Sequence, residues 1–280
     1  MNQLTVVTQK TIDNTLEQKA NGKKLALVFH LKVKDYSAYQ QWLVNSNKQL
    51  GGRQLFQIAI DPAPREGMLI DQLIINEYPS AQSALAFMAK FGSTLQSICS
   101  VYEVLAIVPE PAMTFYMVKV ISWLVRLFKG VKDKRPLAAN WTADNVAVWP
   151  DEKQMNVARK QNLNKALFVY NLNKYKTVAN YPESENIDSL VSGQVAYDRY
   201  AKIAGFELLR RGAYPVYGGK PICLLESSQG SMLVDSWDKF IFVRYPQRRD
   251  LLAIIESDEF NNGQIHRDAG LERVAIFMGS

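Results

Sequence analysis

The sequence predicts an α+β fold in which a β-α-β-β-α-β unit occurs twice in one chain. Three observations predict it. Runs of alternating apolar and polar residues, typical of strands, recur in both halves of the chain. Helix-like apolar spacing lies between these runs in the same order each time. Residues 74–79 (IINEYP) also have a counterpart in residues 241–246 (IFVRYP).

Composition indicates a globular chain with room for two domains. Of its 280 residues, 48% are hydrophobic and 21% are charged. The formal net charge is +6, but no helix-turn-helix, RNA-binding aromatic motif or zinc-finger spacing accompanies it, so nucleic acid is not a predicted partner. Cys99 and Cys223 are the only cysteines and lie far apart, which predicts a reducing, cytoplasmic location and no metal site.

The first repeat is predicted over residues 24–110. Residues 1–23 are polar, without the apolar core of a signal peptide, and are interpreted as a flexible or loosely docked N-terminal arm. Apolar residues at every second position from Leu25 to Val33 predict the first strand. The further elements are a helix over residues 35–50 closed by Gly51 and Gly52, strands over 54–60 and 68–77, a helix over 80–98 and a strand over 102–108.

The second repeat is predicted over residues 165–280. Its elements are a strand over residues 165–174, a helix over 192–204 ended by Gly205, strands over 207–217 and 237–245, a helix over 247–262 and a strand over 272–277. Gly218 and Gly219 are interpreted as a hairpin turn. This order is that of a ferredoxin-like unit, and two such antiparallel sheets can cover each other as an intramolecular α+β barrel.

Residues 111–164 connect the repeats. An amphipathic helix is predicted from Met113 to Lys132, with a polar stripe of Lys119, Ser122, Arg126 and Lys129. Its apolar runs are too short to cross a bilayer. Two alternatives stay open: its basic residues and Trp123 suit an anionic membrane surface, or its apolar face packs on the barrel or on another subunit. Residues 137–164 are interpreted as a linker.

The second half resembles the DUF1330 family of the dimeric α+β barrel superfamily. The motifs that carry the resemblance are residues 169–175 (VYNLNKY), Ser192–Gly193, residues 196–200 (AYDRY), Trp237–Asp238, residues 244–246 (RYP), residues 258–260 (DEF) and His266–Arg267. The resemblance implies a ferredoxin-like fold with a pocket, but no reaction, because the family has none assigned. The first half has Ser97 and Ile98 where the His-Arg pair would fall, so one functional site is expected, in the second half.

Eight residues of the second half are candidates for that site. His266 suits proton transfer near neutral pH, and Asp238 is predicted inside an apolar strand, where its carboxylate would need a partner such as Arg210, Arg267 or His266. A helix cap for His266 and a buried ion pair for Asp238 are the structural alternatives. The predicted substrate-binding residues are Asn171, Tyr170, Tyr197, Trp237, Arg244 and Arg267.

Two functions are compatible with these residues. One is an enzyme that binds a small apolar molecule, an oxygenase or isomerase without a cofactor, in which His266 is the acid or base. The other is a non-catalytic ligand-binding or scaffold protein that docks to a membrane or a partner through the connector helix. No cofactor is predicted, because the sequence has no nucleotide fingerprint, HExxH, GxSxG or CxxC motif, and a haem or a flavin stays an open alternative. The oligomeric state stays open.

Overall fold

The computed structural model describes residues 16–46, 48–62, 69–129, 145–184, 190–228, 233, 236–255 and 257–280. The chain forms two compact units. Unit 1 comprises Met1–Ala59, Glu66–Pro109 and Gly219–Ser236. Unit 2 comprises Ile60–Arg65, Glu110–Gly218 and Trp237–Ser280. Residues 1–15 of the predicted arm lie outside the described residues, whereas residues 16–20 are helical and bury Leu16 and Ala20 in the core of unit 1.

Unit 1 contains an antiparallel sheet and, besides the helical residues 16–20, two α-helices in the part of the chain that the structure describes. Its elements are β1 (Leu25–Val33), α1 (Tyr36–Ser46), a 3₁₀ turn (Gln49–Gly51), β2 (Arg53–Ala59), β3 (Gln72–Tyr78), α2 (Ala81–Ile98) and β4 (Cys99–Pro109). The hydrogen-bonded order is β2-β3-β1-β4, and residues 219–227 of a later strand, β6 (Tyr214–Ser227), pair with β4. The alternation that predicted β1 places Phe29 in the core, where its ring meets Trp42 and Phe87 edge to face.

Unit 2 contains the remaining elements. These are α3 (Ala112–Lys129), α4 (Glu152–Lys160), β5 (Leu167–Tyr175), α5 (Gly193–Arg210), the first residues of β6, β7 (Lys239–Tyr245), α6 (Arg248–Ile255), α7 (Asp258–Gly270) and β8 (Leu271–Gly279). The strand order is β6-β7-β5-β8, and β5 pairs antiparallel with both β7 and β8. The predicted α+β class and antiparallel pairing are therefore confirmed.

Two predictions that rested on glycine are wrong. Helix α5 continues through Gly205 to Arg210, and the chain turns instead at Gly212, which has a φ of 74°. Strand β6 runs straight through Gly218 and Gly219, where a hairpin was predicted. A Cβ at Gly218 would lie 2.8 Å from the Phe240 carbonyl oxygen, and one at Gly219 would lie 2.3 Å from that of Val108. These glycines permit close backbone approach within a strand.

Two further predictions about helices need correction. The helix predicted over residues 247–262 is two helices, α6 and α7, separated at Ser257. The predicted linker contains α4, whose N-terminus carries a capping box between Asp151 and Gln154. Gln154 also donates a hydrogen bond to the Ile276 carbonyl oxygen at 2.9 Å, so this segment is fixed to β8.

Helix α3 packs on unit 2 through a narrow face that includes Ser122. Ser122 is completely buried and donates a hydrogen bond to the Leu209 carbonyl oxygen of α5 at 3.1 Å. Of the predicted polar stripe, Ser122 is thus buried and Arg126 half-buried against the protein, whereas Lys119 is exposed. Part of the apolar surface packs on unit 2, because Phe115, Val118 and Val125 are half-buried and the Phe115 ring stacks on Tyr217. The other apolar residues of the helix are exposed: Met113, Tyr116, Met117, Val120, Ile121, Trp123, Leu124, Leu127 and Phe128.

Candidate functional site

Unit 2 contains a cavity of about 210 Å³ between one face of its sheet and its helices. Strands β5, β7 and β8 form the floor, and α5, α6, α7 and the residues before α4 form the walls. Ala201 is exposed and Gly205 half-buried, so the cavity reaches the surface beside α5. The lining residues are Trp149, Pro150, Val169, Asn171, Tyr197, Tyr200, Ala201, Ala204, Gly205, Leu208, Pro215, Ile241, Val243, Tyr245, Leu251, Ile255, Phe260, Arg267, Ile276 and Met278.

Helix α5 directs its aromatic side chains into the cavity because they share one helical face. Tyr197, Tyr200 and Ala204 are spaced three and four residues apart, and all three are buried. The helix begins at Ser192, whose hydroxyl oxygen accepts a hydrogen bond from the Val195 N–H at 3.3 Å. The sequence signal Ser192–Gly193 therefore fixes the start of the cavity wall.

Two glycines hold the start of α5 against the end of α7. A Cβ at Gly193 would lie 2.3 Å from the Gly270 carbonyl oxygen, and a Cβ at Gly270 would lie 2.5 Å from the Gly193 carbonyl oxygen. The Gly270 oxygen also accepts a hydrogen bond from the Lys176 N–H at 3.0 Å. Backbone atoms fill the space on both sides, so a side chain at either position has no room.

We expect Gly270→Ala to lower the free energy of unfolding by about 1–3 kcal/mol, because the added methyl group overpacks a backbone contact. Gly263→Ala on the same helix is the matched control. A Cβ there would meet only the Ile203 side chain, at 3.3 Å or more. Urea denaturation of the three proteins measures the difference, and equal stability of the two variants would show that the close contact carries no such cost.

Arg267 is the charged residue of the lining, and two of its three donor nitrogens are hydrogen-bonded within the protein. Its Nε and Nη2 atoms donate to the Val148 carbonyl oxygen at 3.0 and 2.7 Å. The guanidinium lies 4.5 Å from the centre of the Trp149 ring and 5.2 Å from that of Tyr200. The side chain is only 5% exposed. Arg267 thereby anchors the Trp149 segment to α7 and fixes one cavity wall.

Two tyrosine hydroxyls of the cavity, those of Tyr200 and Tyr245, stay protonated at neutral pH. Burial raises the pKa of Tyr200 to about 12, with the Arg267 charge partly opposing the effect. Burial also raises the pKa of Tyr245 well above its ordinary value. Neutral phenols can donate and accept hydrogen bonds, but they are poor bases. The cavity therefore combines apolar walls with neutral polar groups.

The structure brings three of the eight predicted site residues to the cavity, namely Asn171, Tyr197 and Arg267. Tyr170 is adjacent to Asn171 in β5 and so points to the opposite face of the sheet, where its ring meets Phe240 and Phe277. Trp237 is buried outside the lining, and the Arg273 guanidinium lies 4.9 Å from its ring centre.

The other three candidates lie apart from the cavity lining. His266 is on α7, where its Nδ1 is 2.9 Å from the Tyr181 hydroxyl, and burial together with the Arg199 charge lowers its pKa. Asp238 precedes β7 and is exposed, so the prediction that a strand encloses it is wrong. Its Oδ2 accepts a hydrogen bond from the Tyr175 N–H at 2.8 Å. Arg244 lines a different groove, beside α3.

Sequence reasoning missed most of the aromatic wall. Trp149 falls in the predicted linker, yet its indole N–H donates to Asp268 Oδ1 at 2.8 Å and its ring meets Tyr200 and Phe260 edge to face. Tyr245 belongs to the RYP motif, but the motif alone does not identify it as a lining residue. The Trp149–Pro150 pair was the sequence feature that could have indicated this wall, because a large aromatic side chain in a polar connector is expected to pack against a folded unit.

The part of the chain that the structure describes contains neither a metal-binding cluster nor a membrane-spanning helix. No group of three or more described His, Cys, Asp or Glu side chains is arranged to hold a metal ion. No helix among the described residues is both long enough and apolar enough to span a membrane.

No family model matches this chain, and no curated protein matches its sequence. Among solved structures, a protein of unknown function from Rhodopseudomonas palustris is 20% identical over 47% of this chain and 93% of that chain, with a TM-score of 0.39. A chlorite dismutase variant from Candidatus Nitrospira defluvii is 9% identical over 94% of each chain, with a TM-score of 0.41. A heme-binding protein from Thermus thermophilus is 11% identical over 92% of this chain and 90% of that chain, with a TM-score of 0.43. These likenesses assign no ligand or activity to this chain.

Proposed function

We propose that unit 2 binds a small, uncharged and largely apolar molecule in the cavity beside α5. The observation that carries the proposal is a cavity of about 210 Å³ whose walls are mostly aliphatic and aromatic. An apolar cavity of ~150 Å³ admits a single benzene ring, so this one has room for a larger molecule. An open mouth at Ala201 and Gly205 provides a route of entry.

The polar groups of the cavity favour an uncharged ligand. Arg267 is committed to the Val148 carbonyl oxygen and to two aromatic rings, so it is a poor partner for a carboxylate on the ligand. The Asn171 amide and the tyrosine hydroxyls can instead orient a carbonyl or hydroxyl group. We infer a molecule with an apolar body and one or two neutral polar atoms.

Catalysis by a cofactor-free oxygenase or isomerase stays a prediction from the sequence. Its acid or base, His266, is engaged with Tyr181 and lies outside the residues that line the cavity. We therefore propose ligand binding as the function. If a bound molecule is identified and is converted by the protein, loss of conversion without loss of binding in His266→Ala would favour the enzyme.

Filling the cavity mouth tests the proposal. We expect Gly205→Leu to weaken binding of naphthalene, an uncharged bicyclic probe, by about tenfold or more, because the new side chain occupies the space where a Cβ meets nothing within 4 Å. Isothermal titration calorimetry measures the affinity. Lys202→Leu is the control, since it adds the same side chain at an exposed position of α5.

Failure of the wild-type protein to bind, or unchanged binding in Gly205→Leu, would contradict the cavity assignment. Mass spectrometry of organic extracts from the purified proteins then identifies the natural ligand. A compound released by the wild type and by Lys202→Leu, but not by Gly205→Leu, is the expected result.

We further propose that the two halves are tandem ferredoxin-like repeats, a degenerate first repeat and a second repeat of the DUF1330 type. The same strand order supports it, since β2-β3-β1-β4 and β6-β7-β5-β8 are equivalent when each half is numbered from its own first strand. Packing of the two sheets as an intramolecular barrel is part of this proposal and stays a prediction.

A second candidate function is attachment to a membrane surface or to a partner protein through α3. The specific observation in its favour is the row of exposed apolar side chains along this helix, among them Trp123 at 57% and Phe128 at 77% exposure. Apolar surface of this extent commonly marks an interaction site.

A further inference from the structure

We propose that α3 docks unit 2 on an anionic phospholipid surface and that a basic groove beside the helix holds the headgroup phosphate. This inference rests on the attachment role proposed for α3, and it names the partner. The apolar face of the helix, the groove and the distribution of charge each support it.

The apolar face of α3 has the form of a helix that lies in a membrane interface. Its other side meets the protein, because Ser122 donates to the Leu209 carbonyl oxygen of α5 and the Phe115 ring stacks on Tyr217. The exposed side carries Trp123, Leu127 and Phe128, together with methionines and a tyrosine. Aromatic and long aliphatic residues on one face are typical of helices that insert at the level of the lipid headgroups.

The groove of about 470 Å³ begins at the edge of this apolar face. It is lined by Tyr116, Lys119, Val120, Trp123, Arg126, Gly212, Tyr214, Arg244 and Pro246. Lys119, Arg126 and Arg244 supply three positive charges, and no lining residue described by the structure is acidic. Guanidinium groups can bind phosphate through paired hydrogen bonds, whereas lysine contributes a point charge.

The groove lies next to the apolar face, as the phosphate groups of a lipid monolayer lie next to its acyl chains. Tyr116, Val120 and Trp123 are exposed and also line the groove, so apolar and cationic surfaces are contiguous. Gly212 permits the Arg126 side chain to lie close, since a Cβ there would be 3.0 Å from Nη1. A phosphate in the groove would leave the attached acyl chains beside the apolar residues of α3.

Charge favours lipid over a second copy of the chain. Residues 112–135 contain six basic residues and one acidic residue, a net charge of +5 in a chain whose total is +6. Residues 130–135 of this stretch lie outside the described residues, and their contribution is read from the sequence alone. Two copies joined through α3 would bring like charges together, whereas an anionic bilayer attracts them.

Vesicle sedimentation tests the proposal with the full chain. We expect the protein to bind phosphatidylcholine vesicles containing phosphatidylserine about tenfold or more tightly than vesicles of phosphatidylcholine alone, and to lose this preference at high salt. Arg126→Gln with Arg244→Gln should remove the preference. Trp123→Ser with Phe128→Ser should abolish binding to both vesicles. Val44→Ser, at a 75% exposed position of α1, should change neither.

Four outcomes would overturn the proposal and separate its parts. Equal binding to both vesicle types would exclude the anionic groove while leaving attachment intact. Binding of inorganic phosphate in calorimetry without any vesicle binding would assign the groove to a free anion. Self-association in sedimentation equilibrium that Trp123→Ser with Phe128→Ser removes, without vesicle binding, would assign α3 to a protein interface. If the double variant alters no association at all, the attachment role itself is wrong.

Discussion

Replacing Asp61 by Asn is expected to lower the free energy of unfolding by about 3–5 kcal/mol, the largest effect we predict for a single substitution. Asp61 accepts two hydrogen bonds from Arg248, from Nη1 at 2.5 Å and from Nη2 at 3.0 Å. The Arg248 side chain is 2% exposed and that of Asp61 is 12% exposed. Asn keeps the shape of the side chain but removes the charge, so the buried guanidinium loses its counter-ion.

A double variant distinguishes loss of the ion pair from other effects of the substitution at Asp61. In Asp61→Asn with Arg248→Met both charges are absent, and we expect its stability to be within about 1–2 kcal/mol of the wild type. Urea denaturation monitored by circular dichroism gives the three free energies. A double variant as unstable as Asp61→Asn would mean that the carboxylate acts through contacts other than Arg248.

Acid is expected to destabilise the protein through His30. This side chain of β1 is completely buried, and burial lowers its pKa from 6.5 to about 3, with a hydrogen bond to the Glu103 backbone partly opposing the shift. Because the pKa is lower in the folded state, neutral His30 contributes stability that is present above pH 6.5 and is lost as the pH falls towards 3. At pH 4 the loss is about 3 kcal/mol.

His30→Gln isolates this effect, because glutamine does not titrate and can hydrogen-bond at a similar reach. The free energies of unfolding of both proteins are measured at pH 7 and at pH 4. We expect the wild type to lose about 3 kcal/mol more than the variant over this interval, whatever the cost of the substitution at pH 7. Carboxylates and His266 titrate in both proteins and cancel in the comparison. Parallel pH profiles would rule out His30 as the acid-sensitive group.

Local patterns predicted the elements of unit 1 well, because hydrophobic spacing and local signals coincide there. Strand β1 follows its alternation, and α2 starts where Ser80 caps it, with the Ser80 oxygen accepting from the Ser83 N–H at 3.2 Å. The predictions at Gly205 and at Gly218–Gly219 failed because glycine permits a turn without requiring one. At Gly205 the helix simply continues, and only the positive φ of Gly212 marks its true end.

Residues of the candidate site could be predicted from the sequence only where a motif within a single strand or helix identifies them. Asn171 and Tyr197 were found because their strand and helix carry recognisable motifs. Trp149 joins them through the Arg267 guanidinium, a contact between residues 118 positions apart that depends on how α7 packs. Likewise, periodicity identified which residues of α3 share a face, but the bond from Ser122 to α5 decided which face meets the protein.

The open space beside Gly205 links the stability of α5 to the width of the cavity mouth. Alanine would meet no atom within 4 Å there, and glycine in a helix interior costs about 1 kcal/mol relative to alanine. A more stable helix is thus available through a single methyl group, which would narrow the cavity mouth. If the opening serves a ligand, selection for stability and selection for access act in opposite directions at this one position, and a change made only to stabilise α5 would narrow the entrance to the cavity.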